Sequence, residues 1–150
     1  MTQFKSIQLF VASLFFVAGF SWSQGNLTDK QITTEWSLLD VRSGVEVYVQ
    51  RQNCQLIPNQ LPLEFLFIKL VNTTDKQVNV SYSIQTLYTE GCVGCDENPE
   101  GMVKTQVAAS SDLAGNCENL NKGFYVLLNN PNLKKGWTFQ SIQLNKLTVN

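Results

Sequence analysis

The chain has 150 residues, with 11 Lys and Arg against 12 Asp and Glu, and no histidine. A near-neutral balance without a basic cluster excludes the electrostatic footprint of nucleic-acid binding. The missing imidazole excludes Ser-His-Asp and Cys-His nucleophile activation, histidine general bases, and histidine ligation of zinc, copper or haem.

The first element in chain order is the opening stretch MTQFKSIQLFVASLFFVAGFSWSQG. Lys5 precedes an apolar run from Ile7 to Phe20, and Ser21 and Ser23 are spaced as a signal peptidase reads them. The run is shorter than the ~20 apolar residues of a membrane span, so residues 1–23 read as a cleavable secretory signal peptide. Cleavage after Ser23 removes 23 of the 150 residues and leaves 127, Gln24–Asn150, enough for one domain over 24–150. Losing Lys5 takes the 11 basic side chains to 10 against 12 acidic ones, a net charge near −2. No later apolar segment has spanning length, so the mature protein is expected to be secreted or periplasmic, without a membrane span.

The rest reads as strands between turns. ITTEWSLLDV (32–41) leads through RSG into VEVYVQR (45–51), where Val45, Val47 and Val49 alternate with Glu46, Tyr48 and Gln50. LEFLFIKLV (63–71) is apolar on both parities and predicts a central strand covered on both faces. NTTDK is a turn. In QVNVSYSIQTLY (77–88), Val78, Val80, Tyr82 and Ile84 face one way, and Gln77, Asn79, Ser81, Ser83 and Gln85 the other. VKTQVAA (103–109), GFYVLL (123–128) and WTFQSIQL (137–144) follow, and NKLTVN closes the chain as a further strand-like piece. No segment after the signal keeps a helical period. About seven short strands with regular turns predict an all-β fold, a single antiparallel β-sandwich.

On that strand count and pattern, residues 32–150 resemble the immunoglobulin-like and fibronectin-III-like sandwich class. The Cys-Trp-Cys arrangement of antibody domains is missing, since Trp36 and Trp137 lie near the two ends and Cys54 and Cys117 sit outside the alternating runs. The resemblance implies a fold and no particular activity.

The segment TEGCVGCDENPEG (89–101) raises three chemistries. A redox C-x-x-C needs a strand–turn–helix setting that lowers the first thiol's pKa. Here acidic residues follow Cys95, and Asn98-Pro99 disfavours helix. Zinc has the right number of thiols in Cys54, Cys92, Cys95 and Cys117, but an exported chain meets oxidising conditions that pair them. Disulfides are therefore expected: Cys92–Cys95 closing its own turn and Cys54–Cys117 clamping the fold. In an up-and-down count Cys117 falls at the far end, but SDLAGNC can run back along the sheet to Cys54. The competing pairing joins Cys54 to Cys92 or Cys95. Glu90, Asp96, Glu97 and Glu100 could hold calcium, yet EF-hand spacing is absent and a solvated acidic loop is the commoner case. The same acids crowd one loop and leave little room for a glycosidase cleft. No metal and no cofactor are expected.

Three N-x-S/T triplets, at Asn26, Asn72 and Asn79, would be glycan acceptors in a eukaryotic secretory pathway. Tyr48, Tyr82, Tyr88, Tyr125, Trp36 and Trp137 could form a ligand platform, although aromatic residues also favour cores and strand pairs. Tyr82 belongs with the inward set; Tyr88, beside the cysteine turn, is the candidate for an exposed contact.

These features predict a non-catalytic binding or structural module whose partner is another protein or an envelope component. Contact would run through loops at one end (52–62, 89–102 and 129–136), with Tyr88, Glu90, Asp96, Glu97 and Asn132 as contributors, or through an edge strand. The strand-like NKLTVN makes strand lending to an assembly conceivable. The alternative is a small exported thiol oxidoreductase or metal-binding protein using Cys92 and Cys95.

Overall fold

The computed structural model describes residues 25–95, 101–129 and 136–150. The expected signal segment, together with Asp96, Glu97, Glu100 and Asn132, lies outside the described residues. The described chain is all-β. Its strands are β1 (Asn26–Thr28), β2 (Ser37–Arg42), β3 (Val45–Cys54), β4 (Leu63–Asn72), β5 (Val78–Tyr88), β6 (Gly91–Val93), β7 (Met102–Val107), β8 (Asp112–Ala114), β9 (Tyr125–Leu127) and β10 (Phe139–Val149). One 3-10 turn, Asp29–Gln31, follows β1.

Pairing is antiparallel throughout and builds two five-stranded sheets. In the first, β10 lies between β1 and β5, and the far edge of β5 is shared by β6 and β7 in series. In the second, β2, β3 and β4 lie side by side, and the far edge of β4 is shared by β8 and β9 in series. Each expected strand has a counterpart; the additional ones, β1, β6 and β8, are three residues long. NKLTVN is no separate piece, because β10 continues through it past a register shift between Asn145 and Thr148, where Lys146 adopts φ 55°. That irregularity turns Leu147 into the core.

The alternation read from β3 and β5 decides which face is buried. Val45, Val47 and Val49 pair with Asn72, Leu70 and Ile68 of β4, and all six are buried. The apolar members of that set join Val78, Val80 and Tyr82 of β5 and Ile142 and Leu147 of β10 in one core cluster drawn from both sheets. The opposite parity of β4 points outward, yet Phe65 and Phe67 are buried as well, within a second cluster beside Cys54, Cys117, Leu120 and Tyr125. β4 is thus covered on both faces. The β2–β3 hairpin closes through Ser43 and Gly44, both at positive φ (49° and 76°), the two-residue geometry that follows a strand's right-handed twist.

The β4-to-β5 turn crosses from one sheet to the other, and Asn72 holds it. Its buried amide donates to the carbonyls of Lys76 (2.7 Å), Val107 (3.2 Å) and Ala108 (2.9 Å). Its Oδ1 accepts from the N–H and hydroxyl of Thr74 at 3.0 and 2.8 Å. The amide nitrogen of this sequon is thereby spent on the fold, whereas Asn26 and Asn79 are exposed. Because β4 ends where β5 begins, the start of β4 and the end of β5 share the opposite end of the molecule. The β3–β4 loop (55–62), the Thr89–Glu90 turn, Asn129 and Trp137 gather there.

Candidate functional site

The loop end is built on Cys54, which pairs with Leu63 at the last rung of the β3–β4 hairpin. Beyond it, residues 55–62 are held by one side chain. Gln55 Nε2 donates to the carbonyls of Ile57 (2.6 Å) and Gln60 (2.8 Å), and Gln60 N–H donates to Ile57 O at 3.3 Å. Pro58 and Pro62 have no N–H to satisfy, and Asn59 takes the left-handed conformation (φ 64°) that asparagine tolerates. Leu56, Ile57 and Leu61 are left in water at 39, 53 and 89% exposure.

The base of this loop is clamped from outside the sheet. β8 carries the chain back along β4, from Val71 to Lys69. The chain then leaves the edge between Gly115, whose N–H donates to Ile68 O, and Phe124, whose O accepts from Ile68 N–H. The excursion starts with Asn116, whose Oδ1 accepts from the N–H groups of Glu118 and Asn119 at 3.0 and 2.8 Å. It lays Cys117 and Leu120 over Phe65 and Phe67. The sulfurs of Cys54 and Cys117 stand 2.00 Å apart, with Cα atoms at 5.4 Å. Cys92 and Cys95 are also within bonding distance, with Cα atoms at 5.7 Å.

Charge flanks the loop rather than entering it. Residues 52–63 include no charged side chain. Arg51, just before them, pairs with Asp29 and lies 3.6 Å from Glu64, with its guanidinium 5.9 Å from the centroid of Phe139.

Of the residues expected to make contact, Glu90 is exposed on the turn between β5 and β6. Tyr88 is not an exposed contact: it is only 5% exposed. Its parity on β5 is that of Val80 and Tyr82, so its ring packs on Trp137 (5.8 Å) and Phe139 (6.2 Å), and burial raises its pKa. Asp96, Glu97 and Asn132 lie outside the described residues. Nor does the whole 89–102 segment sit at the loop end. β6 runs back along β5, so the Cys92–Cys95 turn leaves the sheet midway along its edge. Gly94 is required in that turn: at φ 78° its missing Cβ would lie 2.3 Å from Ile84 O. The segment NKLTVN is built into the sheet along one side: Asn145, Thr148 and Val149 pair with Ser83, Ser81 and Val80 of β5, and Asn150 exchanges backbone hydrogen bonds with Asn79, while β1 pairs with β10 only over Ser141–Gln143.

The aromatic residues are divided among separate clusters rather than forming one platform. Tyr125 meets Phe65 edge-on at 5.6 Å, and Lys69 Nζ lies 4.6 Å from the ring centroid of Trp36 and 4.9 Å from that of Tyr48. The Tyr48 hydroxyl donates to Glu46 at 2.6 Å, which with partial burial and the carboxylate's charge raises its pKa. Between the two interrupted sheet edges opens a groove of about 560 Å³, lined by Ile84, Val93, Met102, Lys104, Lys122 and Tyr125 among others. Beside it the buried Tyr82 hydroxyl donates to Gly123 O at 2.9 Å, and desolvation raises its pKa well above the ordinary tyrosine value.

Leu56, Ile57 and Leu61 were not singled out by sequence reasoning. The available signal was LIPNQLP: aliphatic residues just ahead of each of two prolines in an uncharged turn stretch, with no strand to bury them. Compared with known proteins, the chain matches no family model, no curated protein and no solved structure.

Proposed function

We propose that the protein is a non-catalytic binding module of the cell envelope or exterior, an immunoglobulin-like sandwich in layering, that meets its partner at the loop end. The observation that carries this reading is the exposure of Leu56, Ile57 and Leu61 on a loop whose shape is fixed by Gln55. An ordered loop loses less entropy on binding than a mobile one, so its aliphatic surface converts more fully into affinity. Glu90 stands at the same end as a polar contributor. The apolar amino-terminal run and two cysteine pairs at disulfide distance support export.

The strand order differs from the constant-type antibody order: with ABED on one sheet and CFG on the other, no three consecutive strands lie side by side, whereas β2, β3 and β4 do so here.

The test is partner capture from the native extracellular or periplasmic fraction with Leu56→Ser/Ile57→Ser/Leu61→Ser beside the parent protein. All three side chains are exposed, so the variant should unfold at nearly the same temperature and lose the captured partner. Undiminished capture would overturn the proposal.

A further inference from the structure

We infer that the chain matures in an exporting pathway that does not glycosylate Asn-x-Ser/Thr triplets; this rests on the export reading above. The triplet that carries the inference is Asn72-Thr73-Thr74. A glycan acceptor in a secreted protein belongs on the surface, because the sugar is bulky and hydrated. Asn72 is 1% exposed. Transfer joins Nδ2 to the anomeric carbon of an oligosaccharide carried on a lipid pyrophosphate; Nδ2 gives up one of its two protons, and the lipid pyrophosphate leaves. In the fold those two protons serve three carbonyls, of Lys76, Val107 and Ala108, at 2.7, 3.2 and 2.9 Å. A glycan there would stand where the end of β7 meets the crossing turn, so the glycosylated chain cannot close this part of the sandwich.

The fold offers no protection in time. Val107 and Ala108 follow Asn72 by 35 and 36 residues, so an emerging chain exposes the triplet before those acceptors are in place. A transferase working on a chain in transit therefore meets a free Asn72 amide. The turn itself accounts for the triplet's residue types. The Thr74 hydroxyl donates to Asn72 Oδ1 at 2.8 Å and accepts from Lys76 N–H at 3.4 Å, and Thr73 bonds Gly44 O through both its N–H (2.8 Å) and its hydroxyl (2.9 Å). The two other triplets differ. Asn26 and Asn79 are exposed, and Asn79 accepts from Gln106 Nε2 through Oδ1 at 3.1 Å, a bond that a glycan on Nδ2 leaves in place. They report whether a transferase has had access to the chain, while Asn72 reports whether the fold survives it.

Expression of the full chain in eukaryotic secretory cells tests this, beside Asn26→Gln/Asn79→Gln, in which Asn72 heads the only remaining triplet. In the unaltered chain, glycans on Asn26 and Asn79 show that the transferase reached it. In the variant, Asn72 is expected to be glycosylated and the chain retained inside the cell, and blocking synthesis of the lipid-linked oligosaccharide should raise its secretion severalfold. Secreted, disulfide-paired protein with a glycan on Asn72, read by mass spectrometry, overturns the inference. So does secretion at the same level with and without the block, with Asn72 unmodified. Retention that persists when the oligosaccharide donor is blocked removes the export reading, and the inference with it.

Discussion

The hydroxyl of Tyr82 shows how one inward-facing polar group ties β5 to the chain segment leading into β9 of the other sheet. Its position was legible, because it shares parity with Val78 and Val80 in a strand of clean alternation. Its hydrogen bond to Gly123 O was not, since the acceptor lies 41 residues away in an excursion whose path no local pattern specifies. The buried phenol has a consequence for pH. Its folded pKa is raised above the unfolded value of about 10, so the stability it contributes is complete below that pH and is lost as pH climbs above it. Denaturation across pH 8–11 should therefore show stability falling beyond pH 10, by up to about 1.4 kcal/mol per pH unit for each tyrosine kept protonated. Tyr82→Phe should lose about 1 kcal/mol at neutral pH with its hydrogen bond, and should fall less steeply at high pH. The raised pKa of Tyr88 leaves part of the slope in place. An unchanged alkaline slope in Tyr82→Phe would show that this phenol does not couple to unfolding. Tyr88 itself was misplaced as an exposed contact because proximity in sequence to the cysteine turn outweighed its parity on the strand.

β4 is the element on which both clusters depend, and its apolar residues on both parities announced as much. What covers its outer face was harder to read. The excursion between β8 and β9 contains Asn116, Asn119 and Asn121 and no strand pattern, and it lies over Phe65 and Phe67 through Cys117 and Leu120. The short strands β1, β6 and β8 left no signal either, since three residues cannot establish a period and their pairing is imposed by longer neighbours. Closing 63 residues of separation, the Cys54–Cys117 bond should contribute about 4 kcal/mol by loop entropy, against about 2 for Cys92–Cys95 at a separation of 3. Cys54→Ala/Cys117→Ala should thus lower the urea midpoint about twice as far as Cys92→Ala/Cys95→Ala. Peptide mapping of the unreduced protein should return 54 linked to 117 and 92 linked to 95. A fragment linking 54 to 92 or 95 would refute this connectivity, and equal effects of the two double variants would refute the clamping role.

Across the whole molecule, two-sheet layering was legible because single-faced strands must hide their apolar side against another layer. Strand order was not: which strands pair is decided by contacts distant in sequence, and here the two excursions break one edge of each sheet midway. The same uncertainty blurred the site. A simple up-and-down count put the loops 52–62, 89–102 and 129–136 at one end; β3 in fact runs on to Cys54, and the cysteine turn leaves the sheet midway along its edge. The aliphatic tip went unread because turn stretches are scanned for Gly, Asn and charge rather than for leucines without a strand. The central claim is that partners meet the molecule at this end and not at the crossing turn between β4 and β5, where Thr74 sits. A photo-crosslinking residue replacing Leu61 or Thr74 in the producing cells tests it most directly. Illumination should give adducts from position 61 and not from 74; adducts from 74 alone, or equally from both, would contradict the account.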